Sequence, residues 1–257
     1  MNKNILFSLS HENQVATVTL NRPEVYNAFD LEMILQLDQY FTQVTNDQNI
    51  KLLVITANGK HFSAGADLNW MRDSVDYTTE QNLQDAKQLA TMLLNLYNLN
   101  KPVICAMQGS VYGGAIGIAA CADLVIAANN CKFCFPEVTL GLAPAIISQF
   151  VLHAMDTNFA QYSMLTAKPF CAEQALQYGL VDEIILLNHL PKAVANNIEH
   201  LLSLSFEGMI ATKKLLRYSL LPISLEKLDV CVKIIAELRA STTAQLLIKK
   251  FLKNISK

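Results

Sequence analysis

The sequence predicts an α/β fold in which an alternating core is followed by a helical C-terminal region. Short apolar runs with strand character alternate with helical patterns through the first two-thirds of the 257 residues. Such alternation is typical of parallel strands joined by right-handed crossovers. After about Leu190 the strand signal disappears and the segments become amphipathic and helical. We therefore divide the chain into a core domain, residues 1–190, and a helical C-terminal region, residues 191–257.

The first predicted elements are a strand, a helix and a second strand. Residues 15–20 have strand character and end at the turn Asn21-Arg22-Pro23. Asp30 is a suitable N-cap for a helix that continues to about Val44. The apolar run at 52–56 predicts the next strand.

Further helix and strand signals continue the alternation along the chain. Thr78 and Gln81 have the spacing of a capping box, and the residues after them place apolar side chains on one helical face. Pro102 ends that helical segment. The remaining predicted elements are strands at 103–107, 124–128 and 132–135 and helices at 116–122, 192–204, 206–220, 224–240 and 241–255.

Composition favours a large buried core and contacts between subunits. Apolar residues make up 52% of the chain and the net charge is −2. No basic block of the type that binds nucleic acid occurs, and no apolar run approaches the roughly 18 residues that span a bilayer. The N-terminus also lacks an extended apolar signal segment. We expect a cytoplasmic protein with no nucleic-acid or membrane partner.

The cysteines and histidines indicate no metal or redox site. The six cysteines have mostly apolar neighbours, and free cysteine behaves as a small hydrophobe, so we expect a reduced state. Cys131 and Cys134 have CxxC spacing, but they lie in a predicted strand, where residues three apart point to opposite faces. The five histidines form no pair at metal-ligand spacing. We expect no bound metal.

Two glycine-containing segments indicate a site at which the backbone contacts a ligand. Seven of the nine glycines lie between Gly59 and Gly141. One segment is FSAGAD at 62–67, and the other is GSVYGGAIG at 109–117. Glycine permits close backbone approach and positive φ. This pattern favours N–H donors that stabilise an oxyanion while the carboxylate of Glu137 moves protons.

Together these motifs resemble the crotonase superfamily, the enoyl-CoA hydratase/isomerase family, over nearly the whole chain. Each motif alone is weak, whereas their shared order and spacing are specific. The matching segments are NRPxxxNA at 21–28, FSAGADL at 62–68, GxxxGG at 109–114, CAD at 121–123, PExxLG at 136–141 and GLV at 179–181.

The resemblance implies a spiral of stacked β-β-α turns with a helical C-terminal trimerisation region, assembled as a homotrimer or as a homohexamer made of two trimers. It implies an acyl-CoA thioester as substrate, with coenzyme A as part of that substrate and no further cofactor. The thioester oxygen would accept hydrogen bonds from the backbone N–H groups of Ala66 and Gly114. Backbone near Ser63 and Ala64 would contact the adenine end of coenzyme A.

Residues beside these donors are predicted to contact the substrate as well. For Asp67 we favour a structural role at the turn or helix start, as we do for Asp123 in the CAD motif. Tyr112 could either line the substrate pocket or pack in the core, and we favour neither role. The additional predicted substrate-binding residues are Asp67, Leu68, Tyr112, Gly113 and Gly117.

Gly117 is the position at which the chain departs from the family pattern. Typical hydratases that it resembles have a second glutamate there, three residues after Gly114, so Glu137 becomes the principal acid/base. The sequences at 65–71 and 133–148 resemble those of bacterial methylglutaconyl-CoA and carboxygeranoyl-CoA hydratases, in which the position of Gly117 is also glycine. We interpret Gly117 as a packing glycine that also leaves room for a branched acyl chain.

Three functions stay open from the sequence. The favoured function is an enoyl-CoA hydratase for a branched, methylglutaconyl-CoA-type substrate. Its carboxylate should need a cation or hydrogen-bond donors in the pocket, and Arg72 is a candidate only because it lies near the first glycine segment. The main alternative is a Δ3–Δ2 enoyl-CoA isomerase, since moving a double bond needs only one base. The third is a non-catalytic relative that binds a CoA thioester or RNA. Glu137 and the two glycine segments argue against loss of catalysis, and the slightly acidic balance argues against RNA.

Overall fold

The computed structural model describes residues 4–219 and 223–255. Residue 220, the predicted end of the helix at 206–220, lies outside the described residues. So do the ends of the two predicted domains at 1–3 and 256–257. None of the helices within the described ranges is both long and apolar enough to cross a membrane.

The described residues form two β-sheets surrounded by helices. The strands are β1 (Ile5–Ser10), β2 (Val15–Leu20), β3 (Leu52–Ala57), β4 (Val103–Met107), β5 (Ser110–Tyr112), β6 (Leu124–Ala128), β7 (Lys132–Cys134), β8 (Phe170–Cys171) and β9 (Glu183–Ile185). The helices are α1 (Leu31–Asn46), α2 (Leu68–Asp73), α3 (Thr79–Tyr97), α4 (Gly114–Cys121), α5 (Ala145–Ala154), α6 (Thr157–Thr166), α7 (Ala172–Gln177), α8 (Leu190–Leu202), α9 (Phe206–Ser219), α10 (Leu225–Ala240) and α11 (Thr242–Ile255).

The larger sheet has the strand order β1-β2-β3-β4-β6-β9. Only β1 and β2 are antiparallel, and the other neighbours are parallel, with Val15 opposite Leu52 and Ile104 opposite Leu124. The smaller sheet has the order β5-β7-β8. Because β5 follows β4 after two residues, the chain leaves the larger sheet and enters the smaller one at the second glycine segment.

Most predicted elements are confirmed, and the caps have the expected chemistry. The Asp30 carboxylate accepts a hydrogen bond from the Met33 N–H at 2.8 Å and starts α1. Thr78 and Gln81 form both bonds of the capping box that starts α3. The helix predicted at 116–122 begins earlier, at Gly114, because its N-cap is Gly113 at φ +53° rather than a polar side chain. Strands β1, β5, β8 and β9 and helices α5, α6 and α7 were not predicted.

The C-terminal helices cover the core on the side of the glycine segments. Helix α10 packs on α3 and α5, and α11 packs on α2 and on the 3-10 turn Glu137–Leu140. Asp123 anchors this region, because it forms an ion pair with the buried Lys213 of α9 and accepts a hydrogen bond from the Val103 N–H at 2.8 Å. The structural role predicted for Asp123 is confirmed.

Candidate active site

Backbone pairing holds the two glycine segments side by side. Ser63 forms a parallel bridge with Val111, in which its N–H donates to the Ser110 carbonyl and its carbonyl accepts from Tyr112 N–H, at 3.0 and 3.1 Å. Upstream, the Phe62 N–H donates to the carbonyl of Gln108. The first segment is therefore an extension of the small sheet, and its position does not depend on a long side chain.

The NRPxxxNA motif supports the first segment from the other side. The Asn27 side-chain amide is buried and donates to the carbonyls of Asn58 and His61, at 2.8 and 2.9 Å. Arg22 forms ion pairs with Asp30 and Asp67 at 2.8 and 2.9 Å. The motif thus ties the segment at 58–67 to the start of α1.

Gly113 turns the second segment into helix α4. Its φ of +53° lies in a region that side chains disfavour, and its N–H donates to the Cys134 carbonyl at 3.0 Å. The turn leaves Gly114 as the first residue of α4. Backbone N–H groups at a helix start have no partner within the helix and form the positive end of its dipole.

The N–H groups of Ala66 and Gly114 have no hydrogen-bond acceptor among residues 4–219 and 223–255. Ala66 forms a parallel bridge with Phe29, in which the Phe29 N–H donates to the Gly65 carbonyl and the Phe29 carbonyl accepts from the Asp67 N–H. The N–H of Ala66, between these two residues, therefore points away from Phe29. For Gly114 the reason is its place at the helix start. Both residues line one cavity of about 750 Å³, a volume within the usual range for small-molecule sites.

Glu137 contributes a buried carboxylate to this cavity. Its Oε1 lies 3.2 Å from the position that a Cβ on Gly113 would take. The residue as a whole is half-buried, but Oε2 is withdrawn from solvent and has no hydrogen-bond partner in the described part of the chain. Burial disfavours the charged form and raises the pKa of Glu137 from 4.5 to about 7. A carboxyl group of this kind can both accept and donate a proton near neutral pH.

The structure brings most of the predicted site residues together around the cavity. Asp67 also caps α2 by accepting from the Asn69 N–H at 2.8 Å, so its predicted role at a helix start is confirmed. Tyr112 is among the residues that line the cavity. The predicted residues that line the cavity are Ala64, Ala66, Asp67, Leu68, Tyr112, Gly113, Gly114 and Glu137.

Ser63 and Gly117 do not line this cavity. Ser63 is fully buried, its backbone groups are paired with β5, and its Oγ accepts from the Gly65 N–H at 3.2 Å. Its observed role is to position the segment, whereas the neighbouring Ala64 lines the cavity.

The prediction that Gly117 leaves room for an acyl chain is wrong. A Cβ there would lie 2.7 Å from Ile147 Cγ2 and 3.0 Å from Leu93 Cδ1, so neighbouring side chains already fill that space. The packing role predicted for Gly117 is confirmed, since a Cβ there would force the side chains of Ile147 and Leu93 to shift where α3, α4 and α5 meet.

The CxxC pair is part of the core, as the strand pattern predicted. The Cys131 thiol donates to the Met107 carbonyl and the Cys134 thiol to the Ala167 carbonyl, both at 3.3 Å. Burial raises the pKa of the Cys131 thiol to about 12, which keeps it protonated. The two thiols therefore donate hydrogen bonds to different carbonyl groups and not to each other.

Sequence reasoning missed a polar group in the cavity wall. The Asp85 carboxylate accepts from the Trp70 indole N–H at 3.0 Å and forms an ion pair with Arg239 at 2.6 Å. Asp85 looks like a solvated position of an amphipathic helix, and Arg239 lies 154 residues further along the chain. No local pattern connects them.

The fold and the site place the chain in a known class of proteins. An enoyl-CoA hydratase from Shewanella pealeana has a crystal structure that matches 98% of this chain and 94% of its own, with 37% identity and a TM-score of 0.81. The 2,3-dehydroadipyl-CoA hydratase of Escherichia coli is 33% identical over 177 residues, which are 68% of each chain. The trans-2-decenoyl-[acyl-carrier-protein] isomerase of Streptococcus mutans is 36% identical over 184 residues, 71% of this chain and 69% of the relative.

The sequence model described as enoyl-CoA hydratase/isomerase matches residues 10–252. The chain belongs to this family, and its fold is the crotonase-like α/β fold predicted from the motifs. Family membership supports an enzyme that acts on an acyl-CoA thioester.

Replacing Glu137 by glutamine tests its role as acid/base. We expect Glu137→Gln to lose about 100-fold or more in turnover, as is usual for a general acid or base. In the wild type kcat/KM should rise as the pH passes through about 7, because the carboxylate form accepts the first proton. The variant should lack this limb of the pH–rate profile.

Stability measurements serve as the control for that variant. The pKa of Glu137 is raised by folding, so the wild type loses free energy of unfolding as the pH rises from 4.5 to about 7. Glu137→Gln has no such loss and should be at least as stable as the wild type at pH 8. Turnover near the wild-type level in a folded variant would exclude the acid/base role.

Restoring the second glutamate tests the packing at Gly117. Gly117→Glu should destabilise the protein by about 1–3 kcal/mol through overpacking against Ile147. Ile147→Ala removes the nearest atom, so Gly117→Glu should cost less stability when it is added to Ile147→Ala than when it is added to the wild type. Urea unfolding of the single and double variants measures the effect, and an undiminished midpoint together with higher kcat/KM on every substrate would contradict it.

Proposed function

We propose that this protein is an enoyl-CoA hydratase with one carboxylate as acid/base and two backbone N–H groups as oxyanion hole. One observation carries the proposal. Glu137, with its buried carboxylate, and Ala66 and Gly114, with their unpaired N–H groups, line the same cavity of the described chain. Donors of this kind stabilise the transition state by about 2.7–4 kcal/mol each.

The proposed reaction is the syn addition of water to a 2-enoyl thioester. The thioester oxygen accepts from the N–H groups of Ala66 and Gly114, which draws electrons away from the β carbon. Glu137 takes a proton from water while the water oxygen bonds to that carbon. The resulting enolate collapses and its α carbon takes the proton back from Glu137. One O–H bond of water and one C=C π bond are broken, and one C–O bond and one C–H bond form.

Coenzyme A is proposed to enter along the first glycine segment. The Ala64 N–H is paired with the Tyr26 carbonyl, whereas the Ala64 carbonyl accepts from no donor in the described ranges. An amino group such as that of adenine can donate to this carbonyl. We therefore propose Ala64 for the contact with adenine.

The isomerase alternative uses the same groups. A single base that moves a proton from the α carbon to the γ carbon suffices, and the isomerase of Streptococcus mutans shows that this family includes such activity. The absence of a carboxylate at Gly117 is compatible with both reactions. A non-catalytic CoA-binding relative is less favoured, since it has no use for a buried carboxylate beside the donors.

For the acyl group we propose a carboxylate-bearing, methylglutaconyl-CoA-type substrate. Gly117 supports the choice only through the resemblance in sequence, because it leaves no room for a branch. Additional support comes from Arg239, which places a cation on a largely apolar cavity. The relative from Escherichia coli is named for 2,3-dehydroadipyl-CoA, which also has a terminal carboxylate.

Products distinguish hydration from isomerisation. Incubation with a trans-2-enoyl-CoA in oxygen-18-labelled water should yield a 3-hydroxyacyl-CoA with one labelled oxygen, seen by mass spectrometry. A 3-enoyl-CoA converted into a 2-enoyl-CoA without label would support the isomerase instead. Glu137→Gln serves as the control, since it should abolish either product.

We also propose that the protein assembles into trimers or hexamers through its C-terminal region. Helices α9, α10 and α11 have large apolar side chains that are more than half exposed in the single chain, among them Leu216, Leu225 and Leu246 at 59, 62 and 64%. Exposed apolar surface of this kind marks interaction sites. Light scattering at micromolar concentration should give three or six chain masses, and a stable monomer would contradict the proposal.

A further inference from the structure

An ion pair forms part of one wall of the largely apolar cavity. Asp85 of α3 and Arg239 of α10 line it, and their side chains are 4% and 16% exposed. In this pair Nη1 of Arg239 donates to Asp85 Oδ2. The Arg239 guanidinium donates to no other acceptor among the described residues. The Arg239 guanidinium also lies 5.8 Å from the centre of the Trp70 ring. A wall that only had to hold an alkyl chain would not need a charged pair, which is costly to bury.

The spacing of residues along α3 places Asp85 within about one acyl chain of Gly114. Leu89 of α3 approaches Gly114, with its Cδ1 3.9 Å from the position of a Cβ there. Asp85 lies four residues earlier on the same helical face, which places it about 6 Å further along α3. Four carbon–carbon bonds of about 1.5 Å, extended as a zigzag, span roughly 5 Å. A substituent on the fifth or sixth carbon thus reaches the ion pair.

We infer that Arg239 is a specificity-determining residue that binds a carboxylate at the distal end of a five- or six-carbon acyl group. Arginine is suited to this because its planar guanidinium has five N–H donors and can serve two carboxylates on different edges. Asp85 holds one edge and orients the group. The inference rests on the proposed function in one respect, namely that the acyl group of a CoA thioester occupies this cavity.

Arg72, the cation suggested by the sequence, is less suited to this role. It is exposed, and its guanidinium donates to the Asn69 side chain at 2.8 Å on its own helix. Water screens an exposed charge, so its attraction for a substrate carboxylate is weak. Arg72→Gln therefore provides a matched control that removes the same functional group from the mouth of the cavity.

Paired ligands test the inference without any need for turnover. Glutaryl-CoA and pentanoyl-CoA have five-carbon acyl groups that differ in the terminal carboxylate, and neither has a double bond to hydrate. Calorimetry gives the ratio of the two dissociation constants, pentanoyl-CoA over glutaryl-CoA. We expect the wild type to prefer glutaryl-CoA. The double variant Asp85→Asn with Arg239→Gln should lower the ratio about tenfold or more, the usual range for hydrogen bonds to charged groups.

The single variant Asp85→Asn should have the opposite effect. It keeps the shape of the wall but removes the negative charge that competes for Arg239, so the ratio should rise about threefold or more. Arg72→Gln should leave the ratio within about twofold, as expected for an exposed charge. Thermal unfolding checks that each variant is folded. The double variant avoids the unpaired buried carboxylate that Arg239→Gln alone would leave.

The outcomes separate a recognition role from a structural one. Equal weakening of both ligands in the double variant, a fall of the ratio in Asp85→Asn, or no preference in the wild type would each overturn the inference. Failure of the proposed hydration is recognised separately, as absence of labelled 3-hydroxyacyl product from crotonyl-CoA and glutaconyl-CoA alike. In that case the binding ratios still decide the role of Arg239.

Discussion

The pairing of Ser63 with Val111 is the constraint on which the rest of the site depends. It joins a loop that follows β3 to a strand of the small sheet, so two segments almost 50 residues apart share one backbone network. Phe29 links the same segments a second time, since its backbone bonds on both sides of Ala66 and its ring packs on Gly114. The two donors are therefore positioned by backbone groups, which are less mobile than side chains.

Burial gives Glu137 its chemistry and also limits what the site can contain. The carboxylate lacks a hydrogen-bond partner at Oε2, so its charged form is destabilised and its pKa rises to about 7. This costs stability at high pH but provides a group that exchanges protons near neutrality. A second carboxylate close by would raise the cost of ionisation further.

The close packing at Gly117 gives its departure from the family pattern a physical meaning. Ile147 and Leu93 occupy the space that a larger side chain would need. Gly117 is therefore part of the packing contact between α3, α4 and α5. Polar contacts to the substrate are then carried by other elements. The Asp85–Arg239 pair shows how α10 brings a charge to the wall that α3 and α2 form.

The sequence alone determined the α/β class, the helical C-terminal region, the caps at Asp30 and Thr78, and the order of the glycine segments and Glu137. These features follow from local periodicity, capping chemistry and motif spacing, which act over a few residues. Only the tertiary structure decided that Ser63 is a support, that Gly117 leaves no room, and that Arg239 meets Asp85. Each of these depends on contacts between residues that are distant in the chain, and local sequence patterns do not encode such distances.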